Sequence, residues 1–174
     1  TDKTMSFFRQ EIPSNKVELD LLHQQYPWIP GSTNIRPLPD QIMMKKEDLQ
    51  EIEKNWNSMN DYLFFKVFGY DFTINEAGRF ICNIPSTVSV TSLKKLVRNQ
   101  YPYNNLHCYH YIMWYGCQTK PSSSEQITRD IEKSIEGIIH PKDRVNFQFV
   151  WYENPKMTIP QLYHVHVFWI PHLP

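Results

Sequence analysis

Apolar and polar positions along the 174-residue chain change period several times, and each change marks an element. From Lys46 to about Val67, the residues Leu49, Ile52, Trp56, Met59, Leu63 and Val67 recur at three- and four-residue steps. That spacing predicts one amphipathic helix of about six turns, stopped at Gly69. Residues 70–90 alternate weakly around Gly78 and predict loops with short strands. Thr91 to Gln100 predicts a short helix with Leu93, Leu96 and Val97 on one side. Leu106 to Tyr115, dense in Tyr, Ile and Trp, predicts a strand. Ser122 followed by Glu125 fits a capping box, and Ile127, Ile131, Ile135 and Ile138 form the buried stripe of the helix it opens. Asn146 to Tyr152 and Leu162 to Ile170 predict two more strands, joined by a turn over Glu153 to Pro160.

This order of elements fits an α+β fold, an antiparallel β-sheet with helices packed on it. Residues 1–44 hold Pro13, Pro27, Pro30, Pro37 and Pro39 and no sustained period. Proline fixes φ and removes a donor, so this stretch is expected as an extended N-terminal arm, with residues 45–174 as a single α+β domain. Tyr26, Trp28 and Ile29 could anchor the arm on its own domain or on a protein assembly partner.

The last strand carries the chemistry. Tyr163, His164, Val165, His166, Val167 and Phe168 alternate, so His164 and His166 share one strand face while Tyr163, Val165, Val167 and Trp169 cover the other. Two imidazoles side by side fill a core poorly and suit a site. A second run, His107-Cys108-Tyr109-His110-Tyr111, brings four of the seven histidines into two strand-like segments. A neutral imidazole nitrogen at working pH serves equally as a nucleophile or a metal ligand. For a divalent metal, His164 and His166 come preset about 7 Å apart between Cα atoms, with His107 or His110 as the third ligand. His107 and His110 differ by three and face opposite sides of an ideal strand, so only one could join. No cofactor is otherwise expected. Arg98 could contact a phosphate or carboxylate, because guanidinium geometry suits both.

Composition narrows the partners. Eighteen basic and eighteen acidic residues give zero net charge, which argues against DNA or RNA as a partner. Cys82, Cys108 and Cys117 are odd in number and lack a CxxC pair, so a reducing intracellular compartment is expected, the cytoplasm first. The chain starts at Thr1, and a processed N-terminus would place it in an organelle instead. No apolar run approaches the roughly 18–20 residues that span a bilayer.

Three segments resemble a known family. Asn99-Gln100-Tyr101-Pro102-Tyr103 with His107 and Trp114 is similar to a block of the fungal N-acetylglucosamine-induced protein 1 family. Trp151-Tyr152-Glu153-Asn154-Pro155 with His164-Val165-His166-Val167 resembles that family's ending, and Ser58-Met59-Asn60-Asp61-Tyr62-Leu63 resembles the close of its long helix. The likeness implies a connection with amino-sugar response and little about a reaction. A strand, an Asn in the turn and then alternating His is also similar to the histidine-triad nucleotide hydrolases and transferases. That resemblance implies His166 as nucleophile on an α-phosphorus, with His164 its neighbour. It implies Asn154 as a phosphate or ribose contact, and His107, Arg98 and Asn99 are further candidate contacts for a nucleotide or nucleotide sugar. The triad's third His falls at Phe168, which supplies no hydrogen bond. A non-catalytic accessory subunit of a larger assembly is the competing expectation. Surplus aromatics, ten Tyr, ten Phe and five Trp, lean toward it.

Overall fold

A computed structural model describes residues 10–12, 37–102, 108–139, 146–154 and 157–172. It is an α+β fold. The elements in chain order are β1 (Gln10–Ile12), α1 (Pro39–Asn55), α2 (Met59–Lys66), β2 (Phe72–Ile74), β3 (Phe80–Cys82), β4 (Lys94–Arg98), β5 (Tyr109–Tyr115), α3 (Ser124–Ile138), β6 (Asn146–Tyr152) and β7 (His164–His172). Five strands form one sheet in the order β1-β6-β7-β5-β4, and β2 and β3 form a separate hairpin. The pairs β6·β7, β7·β5 and β5·β4 are antiparallel, while β1 lies parallel to β6. Among the described residues no helix is long and apolar enough to cross a membrane.

The two sheet faces are built differently. On one, Leu96, Met113, Tyr115, Phe149, Trp151, Val165 and Val167 pack against Ile127, Ile131 and Ile135 of α3. The isoleucine stripe therefore faces the core as its spacing predicts, with Ile138 left 44% exposed at the helix end. The cap sits one residue later than the capping box suggests, because Ser123, not Ser122, accepts the Gln126 N–H at 3.2 Å. The other face meets α2, where Leu63, Phe64 and Val67 pack with Trp114 and Leu162.

Three expectations are corrected. The single long helix is two helices, because Trp56 leaves α1 in an extended conformation (φ −100°, ψ 144°). Its indole sits 5.2–5.6 Å, centroid to centroid, from the rings of Tyr62, Phe65, Phe72 and Phe80. Aromatic burial of that kind outweighs one more helical hydrogen bond. Ser58 then restarts the helix by accepting the Asp61 N–H at 3.1 Å. The segment expected as a helix over residues 91–100 is a short 3-10 turn followed by strand β4. A helix would gather Leu96 and Val97 on one side. As a strand, Leu96 enters the α3 core and Val97 the α2 cluster. Finally, α1 begins at Pro39, inside the stretch expected to be extended, with proline at the first helical turn where its missing N–H costs nothing. Of that arm, residues 13–36, with Tyr26, Trp28 and Ile29, lie outside the described residues.

The packing predicts a contrast within α3. Ile131→Ala should cost about 2–5 kcal/mol by leaving a cavity against the sheet. Ile138→Ala should cost less than about 0.5 kcal/mol, as surface changes do. Urea denaturation of the two variants beside the parent protein measures both.

Candidate functional site

Strand register brings the histidines together. Antiparallel pairing sets His166 opposite Ile112 and Tyr152, and Phe168 opposite His110 and Val150. Paired side chains share a face, so His110, Ile112, Trp114, His164, His166, Phe168 and Tyr152 all rise from the sheet face opposite α3. His110 and His166 are diagonal neighbours on it. Their ring nitrogens meet, His110 Nε2 at 2.7 Å from His166 Nδ1.

Hydrogen-bond partners limit which nitrogen holds each proton. Asn99, buried at the end of β4, accepts the Tyr101 N–H on Oδ1 at 2.8 Å. That turns its NH2 group toward His110, 3.1 Å from Nε2. An amide NH2 only donates, and this one also lies 3.4 Å from Nδ1, so one of the two His110 nitrogens accepts from it. If His110 Nε2 accepts, the proton in the 2.7 Å contact belongs to His166 Nδ1 and the lone pair to His166 Nε2; if His110 Nδ1 accepts, His110 Nε2–H donates to His166 Nδ1. His164 is settled by its partner, its Nδ1–H donating to the Leu162 carbonyl at 2.9 Å.

Aromatic rings hold these imidazoles flat. Trp114 stacks on His164 at 4.2 Å, Tyr152 on His166 at 5.3 Å and Phe168 on His110 at 4.4 Å. All three histidines are buried. Burial pushes His166 down to about 3, helped by His164 and by the Lys45 ammonium. Burial, then His166, holds His110 well below the usual imidazole range. His164 is lowered by burial and Lys45, against the raising effect of its bond to Leu162. Three neutral imidazoles thus stand in a row.

Both terminal-strand histidines line a cleft of about 690 Å³ between the sheet, α1 and α2. That volume lies within the range of sites for small organic molecules. Its walls combine apolar side chains such as Leu49, Ile52 and Val67 with Tyr62, Tyr101 and Trp114. Lys45 and Lys66 contribute ammonium groups, and no carboxylate is among the described residues that border it. Tyr101 ties the cleft's rim to α1 by donating its hydroxyl proton to Asp48.

A family model described as "Protein of unknown function (DUF3605)" matches residues 32–170. The chain belongs to the DUF3605 family. A search of curated proteins finds no match. A solved structure described as "Crystal Structure of HTC1" is similar at 15% identity with a TM-score of 0.42, covering 80% of this chain and 76% of that one.

In this DUF3605 domain the sequence-predicted residues divide. His164, His166 and Asn154 border the cleft. Asn99 also borders it, but its amide groups are engaged by Tyr101 and His110, so it orients a ring. Arg98 stands at the cleft's edge, yet it pairs with Tyr111 in the ladder and its guanidinium lies 6.0 Å from the Tyr109 ring centroid. That is the α3 face of the sheet, away from the histidines. His107 lies outside the described residues. Among the described residues no three His, Cys, Asp or Glu side chains are grouped to hold a metal ion. Cys108 is no thiolate nucleophile, because burial pushes its thiol up to about 12.

Sequence reasoning missed His110 as the partner of His166, and it missed Lys45. A signal for the second existed. Lys45 precedes Leu49 and Ile52 by four and seven residues, which puts a charge on the apolar stripe of α1.

The buried imidazoles predict a pH dependence. With folded values below the ordinary 6.5, the unfolded chain binds more protons as pH falls from 6.5 towards about 3. The stability due to neutral His166 is therefore complete above pH 6.5 and is lost below it. His166→Asn keeps a donor near the Nδ1 position without a titrating ring. It should show a shallower decline in unfolding free energy between pH 7 and pH 5 than the parent, and equal slopes would contradict the assignment.

Proposed function

We propose that the domain is a nucleotidyl hydrolase or transferase acting on a nucleotide or nucleotide sugar, with His166 Nε2 as the attacking atom. The observation that supports this reading is the 2.7 Å contact of His166 Nδ1 with His110 Nε2, beside a cleft bordered by lysine and, among the described residues, not by carboxylate. A nucleophilic imidazole needs its second nitrogen bonded so that the lone pair faces the substrate. The sequence's likeness to histidine-triad enzymes left that partner unassigned, and His110 fits the role.

In the proposed step, the Nε2 lone pair attacks an α-phosphorus, and the bond to the leaving phosphate or sugar-phosphate oxygen breaks with its electron pair. The resulting nucleotidyl-imidazolium is positive. Its Nδ1–H lies against His110 Nε2, which shares that proton and spreads the charge. Water or an acceptor phosphate then attacks phosphorus, the P–N bond breaks with its electron pair returning to Nε2, His166 is released neutral, and the proton of an attacking water passes to solvent. Asn99 acts through His110, as a positioning residue.

The test is to incubate the protein with nucleoside diphosphates and with nucleotide sugars, amino sugars included, and to seek an acid-labile nucleotidyl adduct by intact-protein mass spectrometry. An adduct in the parent, absent in His166→Ala, is the expected result. His110→Phe should lower turnover by about 10²-fold or more, the scale of proton-handling groups. Unchanged turnover in His166→Ala would end this mechanism.

A second reading, a non-catalytic accessory subunit, is supported by α1. None of its residues is buried, and Leu38, Ile42, Met43 and Met44 are each 49–63% exposed. Light scattering on the full chain separates the two readings. A stable monomer with nucleotidyl adduct chemistry dismisses the accessory role, and an inert chain that associates through this surface supports it.

A further inference from the structure

Lys45 brings an ammonium group to the α1 side of the cleft. Lys94 pairs with Asp130 at 3.0 Å, whereas among the described residues no carboxylate pairs with the Lys45 ammonium. Asp48, three residues along α1, takes the Tyr101 hydroxyl proton. Lys45 is only partly exposed, its ammonium 6.0 Å from the Tyr101 ring centroid, and burial lowers its pKa. It borders the same cleft as His164 and His166, and it depresses the basicity of both rings. A cation drawn out of water without a counter-charge is costly unless an anion joins it.

We infer that Lys45 is an anion anchor, and that it holds a phosphate group of the ligand over His166 from the α1 side of the cleft. The inference rests on the proposed phosphate chemistry only for the identity of the ligand; the anion site itself rests on the cleft and its unpaired ammonium. Lys66, exposed at the end of α2 and bordering the same space, adds a second and weaker positive charge. The arrangement gives the ligand a sequence of contacts. Its phosphate meets Lys45 over the histidine end of the cleft, and its uncharged part meets the apolar and aromatic wall of Leu49, Ile52, Tyr62 and Val67. A helix that buries none of its residues in the free protein would thus be fastened by the ligand it helps to bind.

The test is isothermal titration of the full chain with inorganic pyrophosphate at low salt, with malonate as the carboxylate control. The parent should bind pyrophosphate saturably and more tightly than malonate. Lys45→Met should weaken pyrophosphate binding at least tenfold, Lys45→Arg should restore most of it, and Lys66→Met should have the smaller effect. Circular dichroism of each variant checks the fold, and the Arg variant keeps the result interpretable if Met perturbs α1. Binding by the parent that depends on Lys45, with no adduct on His166, would uphold the anchor and sink the nucleotidyl mechanism alone. No binding of pyrophosphate by the parent, tighter binding of malonate, or equal binding by Lys45→Met would overturn the anchor.

Discussion

One contact between two imidazoles, 2.7 Å from His110 Nε2 to His166 Nδ1, organises the candidate site. It exists because β5 and β7 pair antiparallel with His110 opposite Phe168 and Ile112 opposite His166. A slip of one residue in that pairing would turn the histidines of one strand toward α3 and separate the rings. The register is itself fixed from behind. Val165 and Val167 of β7 and Met113 of β5, fully buried, lock into the isoleucines of α3. The apolar face of the sheet therefore sets the geometry of the polar one.

Burial makes the contact chemically useful. An exposed histidine pair would exchange protons with solvent and share its charge with water. Here Tyr152, Trp114 and Phe168 stack over the rings, and each imidazole is kept neutral by the cost of charging it away from water. Phe168, which stands where a third histidine of a triad would fall, is part of this device. It supplies a flat apolar surface for His110, and His110 arrives from the neighbouring strand to make the hydrogen bond that Phe168 cannot. The price is stability below pH 6.5, where the unfolded chain is free to take up the protons that the folded one refuses.

Period-2 and period-3.6 patterns were legible wherever one face alone decided the outcome. His164-Val165-His166-Val167 could alternate in only one way, and Ile127, Ile131 and Ile135 mark one helix face. Asn146 to Tyr152 emerges as β6 with the bounds that its sequence predicts. The pattern misled where tertiary contacts compete with local preference. Trp56 continues the helical period, but its ring belongs with four others from α2 and the hairpin, so the helix breaks there. Leu96 and Val97 sit adjacent, which suits a helix flank and also a strand with both faces covered, and pairing with β5 decides for the strand. Within the site, the shared face of the two terminal histidines could be read directly. The meeting of His110 with His166 could not, because the two lie 56 positions apart and only sheet order joins them. Arg98 shows the converse error: its neighbour Asn99 points to the site, so Arg98 itself must point away.

The tautomer of His166 is the most direct check. Long-range proton–nitrogen correlation spectra of protein with ¹⁵N-labelled histidine, recorded at pH 6 and assigned by comparison with His166→Asn, report the proton's position on each ring. A neutral His166 ring with its proton on Nδ1 and an unprotonated Nε2 is the expected result. A proton on Nε2, or a charged ring at that pH, would contradict the role of His166 as nucleophile and with it the proposed site.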